Sequence, residues 1–145
     1  MEFNDLIHKV EQRYAQLGHT LGWRFLTSPS ATFSPNTEFA FITLNPGGNT
    51  ITHEEVRESC EQGSPYLVEQ WGNHPVGKAP LQLQIQQLYQ MLGWDFDSVL
   101  SGQFVPFRSP TWDGLPRRKE SLQFGIELWA GIIKHVKPRI IVAMG

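Results

Sequence analysis

Leu6, Val10, Tyr14 and Leu17 recur at spacings of four, four and three, the repeat of one helical face, so a helix is predicted over Asp5–Leu17, capped by Asn4 and stopped by Gly18. A polar stretch rich in Ser, Thr and Pro follows (Thr27–Thr37). The run Phe39–Leu44 carries β-favouring residues without alternation, the pattern of a strand buried on both faces. It breaks at Asn45-Pro46-Gly47-Gly48. Thr52 and Glu55 have the spacing of a capping box and predict a short helix running toward Cys60 and ending at Gly63-Ser64-Pro65. Leu81, Ile85, Leu88, Tyr89 and Leu92 then share one helical face between Pro80 and Gly93, with Gln82, Gln84, Gln86, Gln87 and Gln90 on the outer face. Gln103–Phe107 reads as a second short strand, with Pro106 at its end or on a face that needs no N–H donor. After a loop through Thr111-Trp112-Asp113-Gly114, the residues Leu122, Ile126, Trp129, Ile132, Ile133 and Val136 predict a long amphipathic helix that Pro138 terminates. Ile140–Met144 is a third apolar strand.

Strand, helix, strand, helix, strand with solidly apolar strands predicts an α/β fold, a three-layer αβα sandwich around a central parallel sheet with right-handed crossovers. No repeat or linker divides the chain, so residues 1–145 are expected to form one domain. In such sheets ligands bind where loops leave the C-terminal strand ends, and those loops begin here at Asn45 and Arg108. A run as apolar as Ile140–Met144 expects neighbours on both sides. Further chain beyond Gly145 would supply one, and self-association through the exposed sheet edge would supply the other solution.

Composition narrows the function classes. With 40% hydrophobic and 18% charged residues the chain can build one core, which excludes disorder, collagen and coiled coil. The longest apolar runs fall far short of the roughly 20 residues that span a bilayer, and Met1–Asp5 lack the basic start of a signal peptide. No membrane partner and a cytoplasmic location are expected. Cys60 is the single cysteine, which excludes an internal disulfide, a four-cysteine cluster and a CxxC zinc site. His53, Cys60 and His135 share no ligand spacing, so no metal is expected. Twelve Lys and Arg against fourteen Asp and Glu give a net charge of -2, so nucleic-acid contact would need a local basic patch.

The sharpest local feature is Asn45-Pro46-Gly47-Gly48-Asn49. Two glycines let backbone approach a ligand closely, and free N–H groups there can hold an anion or a base carbonyl; a plain strand-to-helix turn has the same composition. The loop lacks the Lys-Ser/Thr pair of a P-loop and the GxGxxG spacing, which argues against nucleotide triphosphate hydrolysis.

Five segments, in order, resemble the uracil-DNA glycosylase superfamily. Thr43-Leu44-Asn45-Pro46-Gly47 resembles the Gly-Ile-Asn-Pro-Gly motif of the mismatch-specific branch, and Gly63-Ser64-Pro65-Tyr66 is similar to the Gly-x-Pro-Phe segment whose ring stacks on the extruded base. The Pro80–Gly93 helix matches the one that follows. Gln103–Pro110 is similar to the Asn-Val-Val-x-x-Arg-Pro-Pro strand and loop, whose Asn reads the pyrimidine edge, and Lys137–Gly145 looks like the third-strand signature. The resemblance covers the chain from about Phe39 onward. It implies a DNA glycosylase that hydrolyses the N-glycosidic bond of uracil or a related damaged base, with DNA as partner. Asn45 would position the water, Gly47, Gly48, Tyr66 and Gln103 would hold the base, and Arg108, Arg117 and Arg118 are candidate phosphate contacts. A catalytically weak or inactive nucleic-acid or nucleobase-binding module of the same fold is the alternative.

The departures are specific. Thr43 stands where the family has glycine, and Gln103 stands where it has Asn, one methylene longer. The family's second motif, His-Pro-Ser with an intercalating loop after a fourth strand, has no counterpart in this sequence; His74-Pro75 precedes the second strand and reads as loop structure. Arg117-Arg118-Lys119 at a helix start conflicts with the helix dipole, which suits either phosphate contact or a solvated charge run. Trp112 reads either as a stacking or wedging residue or as local packing.

Overall fold

A computed structural model describes residues 1–48 and 57–145. Its elements are α1 (Phe3–Gln16), β1 (Phe39–Thr43), α2 (Pro65–Val68), α3 (Pro80–Leu92), β2 (Leu100–Gln103), α4 (Arg118–Val136) and β3 (Ile140–Met144). The three strands are parallel in the order β2-β1-β3. β1 is therefore flanked by strands on both sides and by helices on both faces, which is why its sequence shows no alternation. Ala40 and Ile42 join the core built with Leu6, Val10, Leu128 and Ile132 of α1 and α4. Phe41 joins the core built with Ile85 and Tyr89 of α3. The α/β architecture agrees with the sequence reading, and no helix among the described residues is long and apolar enough to cross a membrane.

Several local expectations are corrected. Asn4 lies inside α1, whose N-cap position is Glu2 with no side-chain cap. The second strand is Leu100–Gln103 rather than Gln103–Phe107. Its Leu-Ser-Gly-Gln sequence carries little strand propensity because the slot it fills is narrow: a Cβ on Gly102 would lie 3.0 Å from both Leu26 Cδ2 and Phe25 O and 3.2 Å from Trp129. Val105 and Phe107 are fully buried beyond the strand end, where Phe104 and Val105 N–H groups donate to Thr43 O (2.7 Å) and Leu44 O (2.8 Å).

In α3 the buried positions are Gln82, Ile85 and Tyr89, while Leu81 and Leu92 are exposed. Gln82 can be buried because its amide is satisfied. Its Oε1 accepts from Ala79 N at 3.0 Å, and its Nε2 donates to Pro65 O and Glu69 O, both at 2.9 Å. In α4 the buried face runs through Ser121, Phe124, Gly125, Leu128, Trp129 and Ile132, leaving Leu122, Ile126 and Ile133 exposed. The small residues decide this rotation: a Cβ on Gly125 would come within 2.6 Å of Phe104 O. The helix expected from Thr52 lies outside the described residues at its start, and Arg57–Cys60 form no helix. They run beside Phe25–Ser28, with Arg57 O and Glu58 O accepting from Phe25 N (2.8 Å) and Leu26 N (3.1 Å).

Candidate functional site at the C-terminal strand ends

β1 and β2 end side by side, with Thr43 paired to Gln103. Phe39 and Phe41 face α3, so the period of two puts Thr43 on that same face. There the Thr43 hydroxyl donates to Gln103 Oε1 at 2.8 Å. Asn45 and Gln103 thus leave neighbouring strands at one end of the sheet, as expected from a parallel arrangement.

Tyr66 is brought to the same place by α2. Ser64 Oγ accepts from Tyr66 N (3.2 Å) to cap this single turn, and Gln86 Nε2 donates to Tyr66 O (2.7 Å), tying it to α3. The Tyr66 ring meets Phe41 and Trp71 edge to face at 6.3 and 5.8 Å. At 3% exposure it presents no open ring face, so the expected stacking surface is closed. Burial pushes its hydroxyl pKa up, while hydrogen bonding to Thr43 and Thr27 partly opposes the shift.

The loop after β1 is clamped by the segment after β2. Asn45 Nδ2 donates to Ser109 Oγ (2.9 Å) and Phe107 O (3.1 Å), with Pro46 O at 3.4 Å. A carbonyl only accepts, so Phe107 O fixes which end of the amide faces the clamp. Ser109 Oγ spends its own proton on Thr111 O (2.7 Å). Asn45 Oδ1 is thereby the acceptor end of that amide. Ser109 N donates to Pro46 O at 3.1 Å, and Arg108 Nη1 donates to Gly47 O.

Three groups that the sequence reading missed stand close by. Arg24, buried, grips Glu69 in a fork, Nη1 to Oε1 at 2.9 Å and Nη2 to Oε2 at 2.5 Å. Trp71 Nε1 adds a donor to Glu69 Oε1 at 3.1 Å. Burial alone would raise the Glu69 pKa, but the bonds and charge of Arg24, then Trp71 and the charge of Arg108, hold the carboxyl below its ordinary range. Cys60 Sγ lies 3.4 Å from Arg24 Nη2; burial pushes its thiol pKa up despite that charge, so it is poorly suited to be a nucleophile. A lone arginine inside the apolar run Trp23–Leu26 was the one available signal, since a buried charge demands a partner.

The arginines expected to contact phosphate each hold a partner within the chain. Arg108, the candidate phosphate contact at the strand end, is 7% exposed and engaged with the Gly47 carbonyl. Arg117 and Arg118 lie at the start of α4, paired with Glu120 (3.1 Å) and Asp113 (2.6 Å). Trp112 packs against the core beside α4, and His135 stacks on Phe33 at 4.7 Å. Among the described residues no His, Cys, Asp and Glu group has metal-binding geometry. His53 and Asn49 lie outside them.

Comparison of the chain with protein-family models, curated proteins and solved structures finds no match. The resemblance to uracil-DNA glycosylases rests on this chain's own residues.

Proposed function

We propose that the loops at the C-terminal strand ends hold a nucleobase and that the protein is a DNA glycosylase of the uracil-DNA glycosylase type, acting on uracil or a related damaged base without a cofactor. The observation that carries the reading is the fixed orientation of the Asn45 amide, whose Nδ2 is committed to Phe107 O and Ser109 Oγ, which leaves Oδ1 as its acceptor end. An acceptor held there suits the positioning of a water for attack at the sugar C1′. The water oxygen bonds to C1′ as the C1′–N bond breaks, the bond's electron pair leaves with the base, and the water's proton is released to solvent. No strong base is required where N–H donors stabilise the charge on the departing base. Thr43, Gln103, Gly47 and Gly48 supply further polar groups at the strand ends.

The closed Tyr66 ring favours the alternative of a binding module with weak or absent hydrolysis, since stacking on a base would require that ring to be uncovered. Incubation with uracil-containing single-stranded and duplex oligonucleotides, followed by alkali, separates the two readings. Strand breaks at uracil that fall at least about tenfold with Asn45→Ala are expected, a loss of the size of one missing transition-state contact. Absence of breaks at large protein excess, with oligonucleotide binding retained, would leave the binding module.

A further inference from the structure

We infer that Arg108 is a positioning residue which turns the Gly47 and Gly48 peptides so that both N–H groups face outward as a paired donor for a ligand oxygen. The inference rests on the reading of the strand-end loops as a ligand site and adds the part played by the buried arginine. In a trans peptide the carbonyl and the following N–H point in opposite directions. Pro46 O is drawn to Ser109 N, so the Gly47 N–H points away from the clamp. Gly47 O is drawn to Arg108 Nη1, so the Gly48 N–H points away as well. Both carbonyls are held by consecutive residues of one segment, which puts both N–H groups on the opposite side.

Neither N–H has an acceptor among the described residues. Both glycines are exposed, and a Cβ on Gly47 would meet nothing within 4 Å among the described residues. Gly48 sits at φ +96°, a conformation that favours glycine, and a Cβ there would lie 3.6 Å from Arg108 Nη1. Arg108 is buried, so its side chain is held in place beneath the loop. Its charge helps hold the Glu69 carboxyl below its ordinary range, beside the Arg24 fork. Adjacent outward N–H groups make a concavity suited to a carbonyl or anionic oxygen. A base carbonyl and a phosphate share that chemistry.

The test is amide-resolved NMR of the 15N-labelled chain titrated separately with uracil and with inorganic phosphate, in wild type, Arg108→Lys and Arg108→Gln. In wild type the Gly47 and Gly48 amide resonances should shift with one or both ligands, and the arm that shifts them names the oxygen source. Arg108→Gln should weaken that response at least about tenfold while resonances of the sheet stay in place. Arg108→Lys, which restores a donor to Gly47 O, should recover part of it. Hydrogen exchange of the two amides in wild type gives a measurement independent of any variant's folding: both should exchange fast alone and slow when ligand is added. The inference is overturned if neither ligand protects or shifts these amides, or if Arg108→Gln binds as wild type does. Uracil excision is a separate readout: amides that respond in a protein that excises nothing would uphold the donor pair and sink the glycosylase reading.

Discussion

The two outer edges of the sheet invert the usual link between apolar sequence and burial. β3, Ile-Ile-Val-Ala-Met, is the most apolar strand, yet Ile140 and Ile141 are 50% and 40% exposed and its outer edge has no partner among the described residues. β2, Leu-Ser-Gly-Gln, is the least apolar and is buried throughout. The difference lies in what covers each. The segment Trp23–Thr27 runs antiparallel along β2, with a bridge from Leu26 to Gly102 and bonds from Thr27 N to Ser101 O (2.8 Å) and Gln103 N to Phe25 O (2.9 Å). With Trp129 pressing from α4, that cover leaves room only for small residues. Burial here is set by the neighbour's approach, and hydrophobicity follows only where the space is large.

Breaking the covered edge should have the largest effect. Leu26 is fully buried against Gly102, so Leu26→Ala should cost about 2–5 kcal/mol in chemical denaturation. Gly102→Ala adds a methyl to a slot with contacts at 3.0–3.2 Å and should cost about 1–3 kcal/mol. Ile141→Ala on the open edge should cost under about 1 kcal/mol, as for a half-exposed position. Equal losses at Leu26 and Ile141 would mean that the β3 edge is covered in solution and that the contrast is not a property of the free chain.

The same contrast explains what the sequence disclosed. β1 was legible because two-sided burial writes a continuous apolar run. β2 was displaced by several residues because Ser101 and Gly102 serve close packing and look like a turn, while Val105 and Phe107 look like a strand and are buried without being one. Helix existence was plain in α1, α3 and α4, but the buried faces of α3 and α4 were rotated by residues that fit for reasons other than hydrophobicity. Gln82 satisfies three hydrogen bonds, and Gly125 admits Phe104 O. At the site, parallel topology sufficed to end β1 and β2 side by side, with Thr43 paired to Gln103. The Arg24–Glu69 fork joins residues far apart in the chain through geometry that no local pattern carries.

The smallest expected effect concerns pH and again separates the covered side from the open edge. His19 is buried on the covered side, stacked on Phe107 at 4.4 Å, whose backbone bridges Trp23. Ser121 Oγ accepts from its Nε2 at 2.9 Å and donates in turn to Pro116 O at 3.3 Å. Burial, with the Arg117 charge adding to it, holds the imidazole pKa below its ordinary value. A base depressed in this way stays neutral in the folded protein while the unfolded chain takes up the proton first. Its contribution is therefore intact above the unfolded value of about 6.5 and is lost as pH falls from there toward the depressed native value. Glu69 acts in a separate, more acidic window: its native pKa is lowered, so its contribution is present above the ordinary carboxylate value and is lost as pH falls through the native one. Melting temperatures taken between pH 8 and 5 should decline in the wild type as His19 titrates, and His19→Gln should flatten that decline. Ile141→Ala should leave its slope unchanged, because among the described residues the open edge holds no buried base. Parallel declines in wild type and His19→Gln would show that another group drives the loss and that the covered side is not what acid loosens first.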